Sequence, residues 1–229
     1  VGDEHAIVQP GVYYRDFEPE TLKKNLLLPS YTSSKMLCTV GGMVGNNSAG
    51  EKTLTYGQTE RWVKELKVIF EDRNEYVVKP LIKSELEKKI KQNDFEGKLY
   101  KRIYELAIRN WDDLQKAKPT TSKNSTGYYL WNVWNKETEI FDLTKVITGS
   151  QGTLGIITEI TFKLIKPKLE TAMLEIELPN LSQLDDVVNT VLKANPESFE
   201  CFDDQTIGFA YKYIPDFKAD FKKHNSDPK

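Results

Sequence analysis

Eight of the 13 glycines in this 229-residue chain fall in two short stretches, VGGMVGNNSAGEKTLTYG (40–57) and GSQGTLG (149–155). Glycine loses more backbone freedom on folding than any other residue. A cluster is therefore kept where the chain must turn with φ > 0, or where something comes close to the main chain. Successive amide N–H groups that point one way make an anion nest, and glycine lets a phosphate reach it. Two such loops suggest a phosphorylated ligand; the bland alternative is a pair of tight turns in an irregular α+β domain. The two common phosphate motifs do not fit. GNNSAGEKT (45–53) approaches a P-loop, but Glu51 separates Gly50 from Lys52, and the TLTYGQ that follows has β rather than helical character. GSQGTLG spaces its glycines G-x-x-G-x-x-G and leads into the β-like IITEITFKL, which argues against a Rossmann site.

Composition removes several classes of function. Lys plus Arg number 32 against 34 Asp plus Glu, a balance that argues against a nucleic-acid partner. Cys38 and Cys201 lie far apart, and His5 and His224 are the only histidines, so neither a disulfide framework nor a metal site is expected. No apolar run approaches the ~20 residues of a membrane helix, and VGDEHAIVQPG does not have the make-up of a signal peptide. A cytoplasmic protein with no transmembrane segment is the expectation. The sequons at Asn46, Asn124 and Asn180 are taken as unused, since a glycan on Asn46 would stand inside the glycine loop.

Patterning predicts a strand at AIVQPGV, a helix over EPETLKKNLL with Pro19 near its start, and an extended loop LLPSYTSSKMLCTV feeding the first glycine stretch. ERWVKELKVIFEDRNEYVVKPL predicts a β-hairpin. Residues 83–117 are helical in composition, with Leu99, Ile103, Leu106 and Ile108 placed on one face. The aromatic run STGYYLWNVW is expected to pack at a domain seam. After the second glycine stretch comes a long strand ending at Pro167. A strand at TAMLEIELPN, a helix at LSQLDDVVNTVLKAN, a strand and turn at ESFECFDDQTI and a frayed polar tail DFKKHNSDPK follow. The fold class is α+β, with one domain over 1–168, a mixed or antiparallel sheet flanked by helices, and a second α+β domain opening at 169–229.

PSYTSSKMLCTVGGMVGNNSAGEKTLTYGQT resembles the FAD-binding stretch of the vanillyl-alcohol-oxidase type flavoenzymes, the FAD-linked oxidases with a PCMH-type FAD-binding domain. GSQGTLGIITEITFKLIKP is similar to that family's second hallmark, and VQPGV, SKNSTGYYLW and FECFDD resemble its connecting segments. Within the family the likeness is to the D-lactate dehydrogenase and glycolate oxidase flavoproteins, and it covers about residues 6–205. The resemblance implies FAD contacts at Pro29, Ser33, Ser34, Thr39, Gly41, Gly42, Asn46, Ala49, Gly50, Tyr56 and Gly57, and at Gly149, Ser150, Gly152, Thr153, Gly155 and Ile156. The amides of Gly41 and Gly42 are expected to approach the diphosphate, with hydroxyls of Ser33, Ser34 and Thr39 donating to it. Asn46 offers a donor and an acceptor to the flavin or ribityl chain, and Ile156 an apolar wall to the adenine. Singly, Thr153 also suits a turn cap and Asn47 a left-handed backbone.

The family's pattern also places a diphosphate loop upstream of the strand at AIVQPGV and extends its substrate domain past the point matching Lys229. On that resemblance the chain is taken as a central piece of a longer flavoprotein. The implied reaction oxidises a D-2-hydroxy acid such as D-lactate or glycolate by hydride transfer to flavin N5. Its electrons pass to a quinone, a cytochrome or another flavoprotein, so a peripheral membrane location of the parent enzyme is compatible. The family's alkyl-dihydroxyacetonephosphate synthases, which exchange a group without net oxidation, are the alternative, as is a fragment that holds no flavin. No catalytic residue is assigned: His5 and His224 look like surface histidines and Cys38 like packing. Arg15, Arg61 and Arg109 are possible carboxylate clamps that nothing in the sequence separates.

Overall fold

The computed structural model describes residues 1–214; His224 and the tail DFKKHNSDPK lie outside the described residues. The first half of the chain runs β1 (His5–Val8), α1 (Tyr14–Leu22), α2 (Val40–Gly45), α3 (Thr53–Tyr56), β2 (Val63–Ile69), β3 (Glu75–Val78), β4 (Leu81–Ile82), α4 (Lys83–Lys89) and α5 (Phe95–Arg109). It continues through α6 (Trp111–Ala117), β5 (Trp134–Asn135), β6 (Ile140–Phe141), α7 (Thr144–Ile147), β7 (Ile156–Lys163), α8 (Leu184–Leu192) and α9 (Asp204–Tyr213).

Four strands form an antiparallel sheet in the order β1-β7-β2-β3, which confirms the expected hairpin and the long strand after the second glycine stretch. Val63, Leu66 and Val68 all turn inward from β2 although the first two are three residues apart. A register shift between Val63 and Glu65 supplies the extra residue that resets the alternation. Ile160 and Phe162 of β7 join them, fully buried, under Tyr14 and Phe17 of α1 and Val40, Met43 and Val44 of α2. A second, three-stranded sheet, β4-β6-β5, packs its Phe141 and Trp134 against Tyr100 and Tyr104 of α5, with ring centroids 5.4–6.0 Å apart.

Several local expectations are corrected. The first helix begins four residues earlier than EPETLKKNLL, because Tyr14, Phe17 and Thr21 form its buried stripe; Pro19 sits inside it and supplies no N–H. The buried face of α5 runs through Gly97, Tyr100 and Ala107, while Leu106 and Ile108 stay exposed. The aromatic run packs inside the first compact unit: Tyr129 against Trp131, and Trp134 against Tyr104. TAMLEIELPN forms no strand, and Leu169, Met173 and Leu174 are exposed. Among the described residues no strand lies alongside to complete a ladder for it. The amphipathic helix after it does form as α8. In place of the strand at ESFECFDDQTI, Asp203 caps α9 by accepting from the Thr206 amide at 2.7 Å.

The chain forms two compact units, Val1–Ser198 and Phe199–Lys229. Within the described part of the second, α9 stacks Phe209 on Tyr213 with centroids 4.4 Å apart.

Candidate functional site

The first glycine stretch is helical where a loop was expected. Thr39 caps α2, its hydroxyl oxygen accepting from the Gly42 amide at 3.2 Å, and Val40, Met43 and Val44 occupy the i, i+3, i+4 positions that face the core. The opposite face is nearly bare main chain. Gly42 and Asn46 are exposed, and a Cβ on Gly45 would meet nothing closer than 3.9 Å.

Against the C-terminal end of α2 lies the second glycine loop, about a hundred residues further along the chain. The Gly149 amide donates to Val44 O and the Gln151 amide to Gly45 O, both at 2.8 Å. Gly149 and Gly152 adopt φ of 87° and 78°, the left-handed region that favours glycine, and Gly152 faces open space. The structure thus pins the two glycine stretches together through main-chain bonds, leaving Gly42, Gly45, Asn46, Gly152 and Thr153 on the surface around that junction.

The other predicted residues divide by what they touch. Gly50 is inward: a Cβ there would stand 1.8 Å from Tyr31 O, so the 31–34 turn, with exposed Ser33 and Ser34, runs against the glycine loop. Ser34 Oγ shares a 2.9 Å hydrogen bond with Thr32 Oγ1, Pro29 is buried just before this turn, and Ala49 is half-buried. Gly155 is fixed by packing on β2, where a Cβ would meet Val68 at 2.7 Å. Buried Ser150 accepts the Thr153 hydroxyl at 2.6 Å through its carbonyl, so Thr153 does cap a turn; its Oγ1 also meets the Tyr128 hydroxyl at 3.0 Å. Ile156 is 67% exposed at the start of β7.

One expectation is corrected outright. The Gly41 amide donates to Pro10 O at 2.9 Å and the Gly42 amide to the Thr39 cap, so neither is free to face a diphosphate. TLTYGQ is likewise not a strand: Thr53 bonds both the amide and the carbonyl of Gly50, closing the turn that opens α3. Tyr56 ends that helix with its ring against Trp62, and Gly57 follows with φ 69°. The Tyr56 hydroxyl is pushed up to about 12, by burial first and then by its hydrogen bond to Glu197 and that residue's charge.

Behind the loops lies a polar network that sequence reasoning missed. Asn47, buried at φ 46°, accepts the Glu60 amide on Oδ1 at 2.9 Å and the Gln58 side-chain amide on its carbonyl at 2.7 Å. Gln58 Oε1 in turn accepts from the Asn124 amide and the Tyr129 hydroxyl, each at 2.7 Å. Lys145 of α7 reaches Glu60 Oε2 at 2.6 Å, with side chains 18% and 8% exposed, and stands 3.9 Å from Asp142. Burial raises the Asp142 carboxyl, against the opposing effect of Lys145 and of the Thr144 bonds. Lys145 therefore ties the segment that launches the second glycine loop to the segment that follows the first. Nothing in the spacing of these residues marks them; only Asn47, as a tolerated left-handed residue, carried a signal.

The arrangement fits a ligand that comes close to the main chain, by what the chain's own packing leaves unexplained. Gly45 has neither a positive φ nor a crowding neighbour, yet a helical glycine costs roughly 0.5–1 kcal/mol relative to alanine. A bare face kept at that cost, next to the open Gly152 turn, is what close approach of a ligand to main chain requires.

One comparison with known proteins names the cofactor. Residues 2–76 match the model of the FAD binding domain, which makes FAD the group this segment binds. Over 127 residues the chain is 32% identical to the D-2-hydroxyglutarate dehydrogenase of Escherichia coli (strain K12), covering 56% of this chain and 12% of that protein. It is 27% identical over 205 residues to the glycolate oxidase subunit GlcD of Bacillus subtilis (strain 168), covering 88% of this chain and 32% of that one. A solved alkyldihydroxyacetonephosphate synthase superposes with a TM-score of 0.40 at 17% identity, over 71% of this chain and 19% of its own. The chain thus spans from 12% to 32% of the length of the two curated relatives. Among the described residues no helix is long and apolar enough to cross a membrane.

Proposed function

We propose, with an FAD-binding segment over residues 2–76 as the premise, that this chain is the part of a flavin-dependent oxidoreductase that holds FAD while a D-2-hydroxy acid is oxidised. The observation that carries the reading is the junction of the two glycine stretches, made by Gly149 and Gln151 donating to Val44 and Gly45. When bound, FAD supplies the acceptor for the hydride from the α-carbon of the acid. The chain's residues supply shape and position. Gly42, Gly45 and Gly152 keep side chains off the surface, Asn46 and Thr153 present polar groups beside it, and Ile156 gives an apolar wall. Glu60, Lys145 and the Gly149–Val44 bond hold the two loops in register. Residues 169–229 belong, on this reading, to the opening of a substrate domain, and the electron acceptor is a quinone, a cytochrome or another flavoprotein.

The names of the relatives support a 2-hydroxy acid as the substrate class, and the chain's own resemblance favours D-lactate or glycolate within it. The test is anaerobic mixing of the FAD-loaded protein with D-lactate, glycolate and D-2-hydroxyglutarate in turn. Bleaching of the visible flavin band by one of them supports the reading. A loaded, folded protein that none of the three bleaches, while dithionite does, counts against it.

A further inference from the structure

The nine-residue helix α8 has an apolar stripe but buries little of it. Leu184, Val187, Val188 and Val191 are half-buried, and no residue of the helix is fully buried. Between its C-terminal end and α3 lies a cavity of about 350 Å³, with Leu54 and Thr55 on one side and Leu192, Asn195 and Pro196 on the other. Leu54 and Leu192 both remain largely exposed, so little apolar surface is removed from water across this seam. An isolated helix shorter than ~12–15 residues is marginal in water. Contacts with the rest of the unit Val1–Ser198 must therefore keep α8 formed.

What crosses the seam is polar. Glu197, just past α8, stands 3.6 Å from Lys52 Nζ and 3.9 Å from Lys168 Nζ, and the Tyr56 hydroxyl is hydrogen-bonded to it. One residue earlier, the Pro196 carbonyl accepts from the Thr55 hydroxyl at 3.5 Å. Lys52 and Tyr56 stand at the two ends of α3 in an i, i+4 relation, which puts their side chains on one face. The Lys52 and Glu197 side chains are 21% and 19% exposed, drier than an ordinary surface pair. Glu197 thus gathers three segments: the start of α3, the stretch that leaves β7, and the end of α8. Helix α3 also shapes the first glycine stretch. Thr53 bonds both the amide and the carbonyl of Gly50, and Gly50 is seated against Tyr31 O. A shift of α3 therefore displaces the end of that stretch.

We propose that Glu197 is a latch: it docks α8 onto α3, and through α3 it couples the order of residues 184–197 to the shape of the first glycine stretch. A ligand that needs the stretch in this shape binds the latched form better, so occupancy of the stretch and docking of α8 stabilise each other. That the ligand is FAD rests on the function proposed above; the latch itself does not. On that reading, loading of the cofactor orders α8 at the opening of the substrate domain.

Hydrogen exchange of the α8 amides, followed by mass spectrometry on the full chain, tests this, because an undocked α8 unravels and its amides exchange. The parent, Glu197→Gln, Lys52→Met and the double variant are compared without flavin at low and high salt. The parent and Glu197→Gln are then compared with saturating FAD. Glu197→Gln should speed α8 exchange about fivefold or more, Lys52→Met should act in the same direction, and the double variant should be scarcely faster than Glu197→Gln. High salt should speed exchange in the parent and leave Glu197→Gln unchanged, a response that lost packing alone does not give. FAD should slow α8 exchange in the parent and bind more weakly to Glu197→Gln. Equal α8 exchange in parent and Glu197→Gln overturns the latch, as do single-variant effects that simply multiply in the double variant. FAD that binds the parent without slowing α8 exchange overturns the coupling. A parent that takes up no FAD overturns the function proposed above instead, and the flavin-free comparison still decides the latch.

Discussion

Replacing Lys145 by methionine removes the cation that, among the described residues, stands nearest Glu60 in the network behind the glycine loops. Its Nζ donates to Glu60 Oε2 at 2.6 Å and to the Glu60 carbonyl, with the two side chains 18% and 8% exposed. Breaking such a pair from one side costs ~3–5 kcal/mol when it is fully buried, because the partner charge is left uncompensated. Lys145 keeps some contact with water and Arg61 stands 3.8 Å from Glu60, which places the expected loss at the lower end, about 3 kcal/mol. For a chain of this size 1 kcal/mol moves Tm by roughly 2–4 °C, so Lys145→Met should lower Tm by about 6–12 °C. Urea unfolding followed by tryptophan emission measures the free energy, and the double variant with Glu60→Gln isolates the pair. The double variant should be more stable than Lys145→Met alone, since the Glu60 carboxylate is then not stranded. FAD affinity should fall in Lys145→Met, because α7 carries the second loop. A loss below ~1 kcal/mol, the value of a surface pair, would refute the claim that this lysine holds the loops together.

Three further outcomes follow from the geometry. Gly50→Ala places a methyl against Tyr31 O and should destabilise by about 1–3 kcal/mol in the same urea assay, with FAD affinity falling too as the 31–34 turn is displaced. Burial raises the Asp142 carboxyl above its ordinary 3.8, so the folded chain keeps that proton to higher pH than the unfolded chain. Its contribution to stability is therefore full at low pH and is lost as pH rises through the folded value. Relative to the parent, Asp142→Asn should gain stability as pH rises from below 3.8 through the folded value, and a pH series of unfolding curves with a constant difference would contradict this. Glu197→Gln should bring the Tyr56 hydroxyl down from about 12 toward its ordinary 10.0, measured as the difference in phenolate absorbance between variant and parent on alkaline titration.

The sheet was legible because its strands carry strong patterns: the alternation in WVKELKVIF and the run IITEITFKL both appear as neighbouring strands, β2 and β7. The short α2 was hidden by composition. Five glycines in eighteen residues suggest a loop, and the i, i+3, i+4 set Val40, Met43 and Val44 behind a threonine cap is easily overlooked among them. TAMLEIELPN has the alternation of a strand, but alternation alone makes no ladder without a neighbour to bond. In the candidate site, motif resemblance singled out the two loops that the fold joins, while the reason for individual glycines differed. Gly50 and Gly155 answer to packing inside the chain, and the expected diphosphate amides of Gly41 and Gly42 bond within it. The links that hold the loops in register, Gln58 to Asn47 and Lys145 to Glu60, join residues 11 and 85 apart in sequence. Such side-chain pairs leave no periodic trace, so only the folded chain reveals them.

The central claim, that the joined glycine stretches are the surface on which this chain holds FAD, is tested most directly by titrating FAD into the parent and into Gly42→Ala. A Cβ on Gly42 meets Thr39 Oγ1 at 3.2 Å, a contact for which the α2 cap must give by a few tenths of an ångström, so the variant's stability is measured beside its flavin affinity. The account predicts saturable flavin binding by the parent, seen as a shifted visible band that survives removal of excess FAD, and clearly weaker binding by Gly42→Ala. A folded parent that retains no flavin, or a variant that binds it equally well, would contradict it.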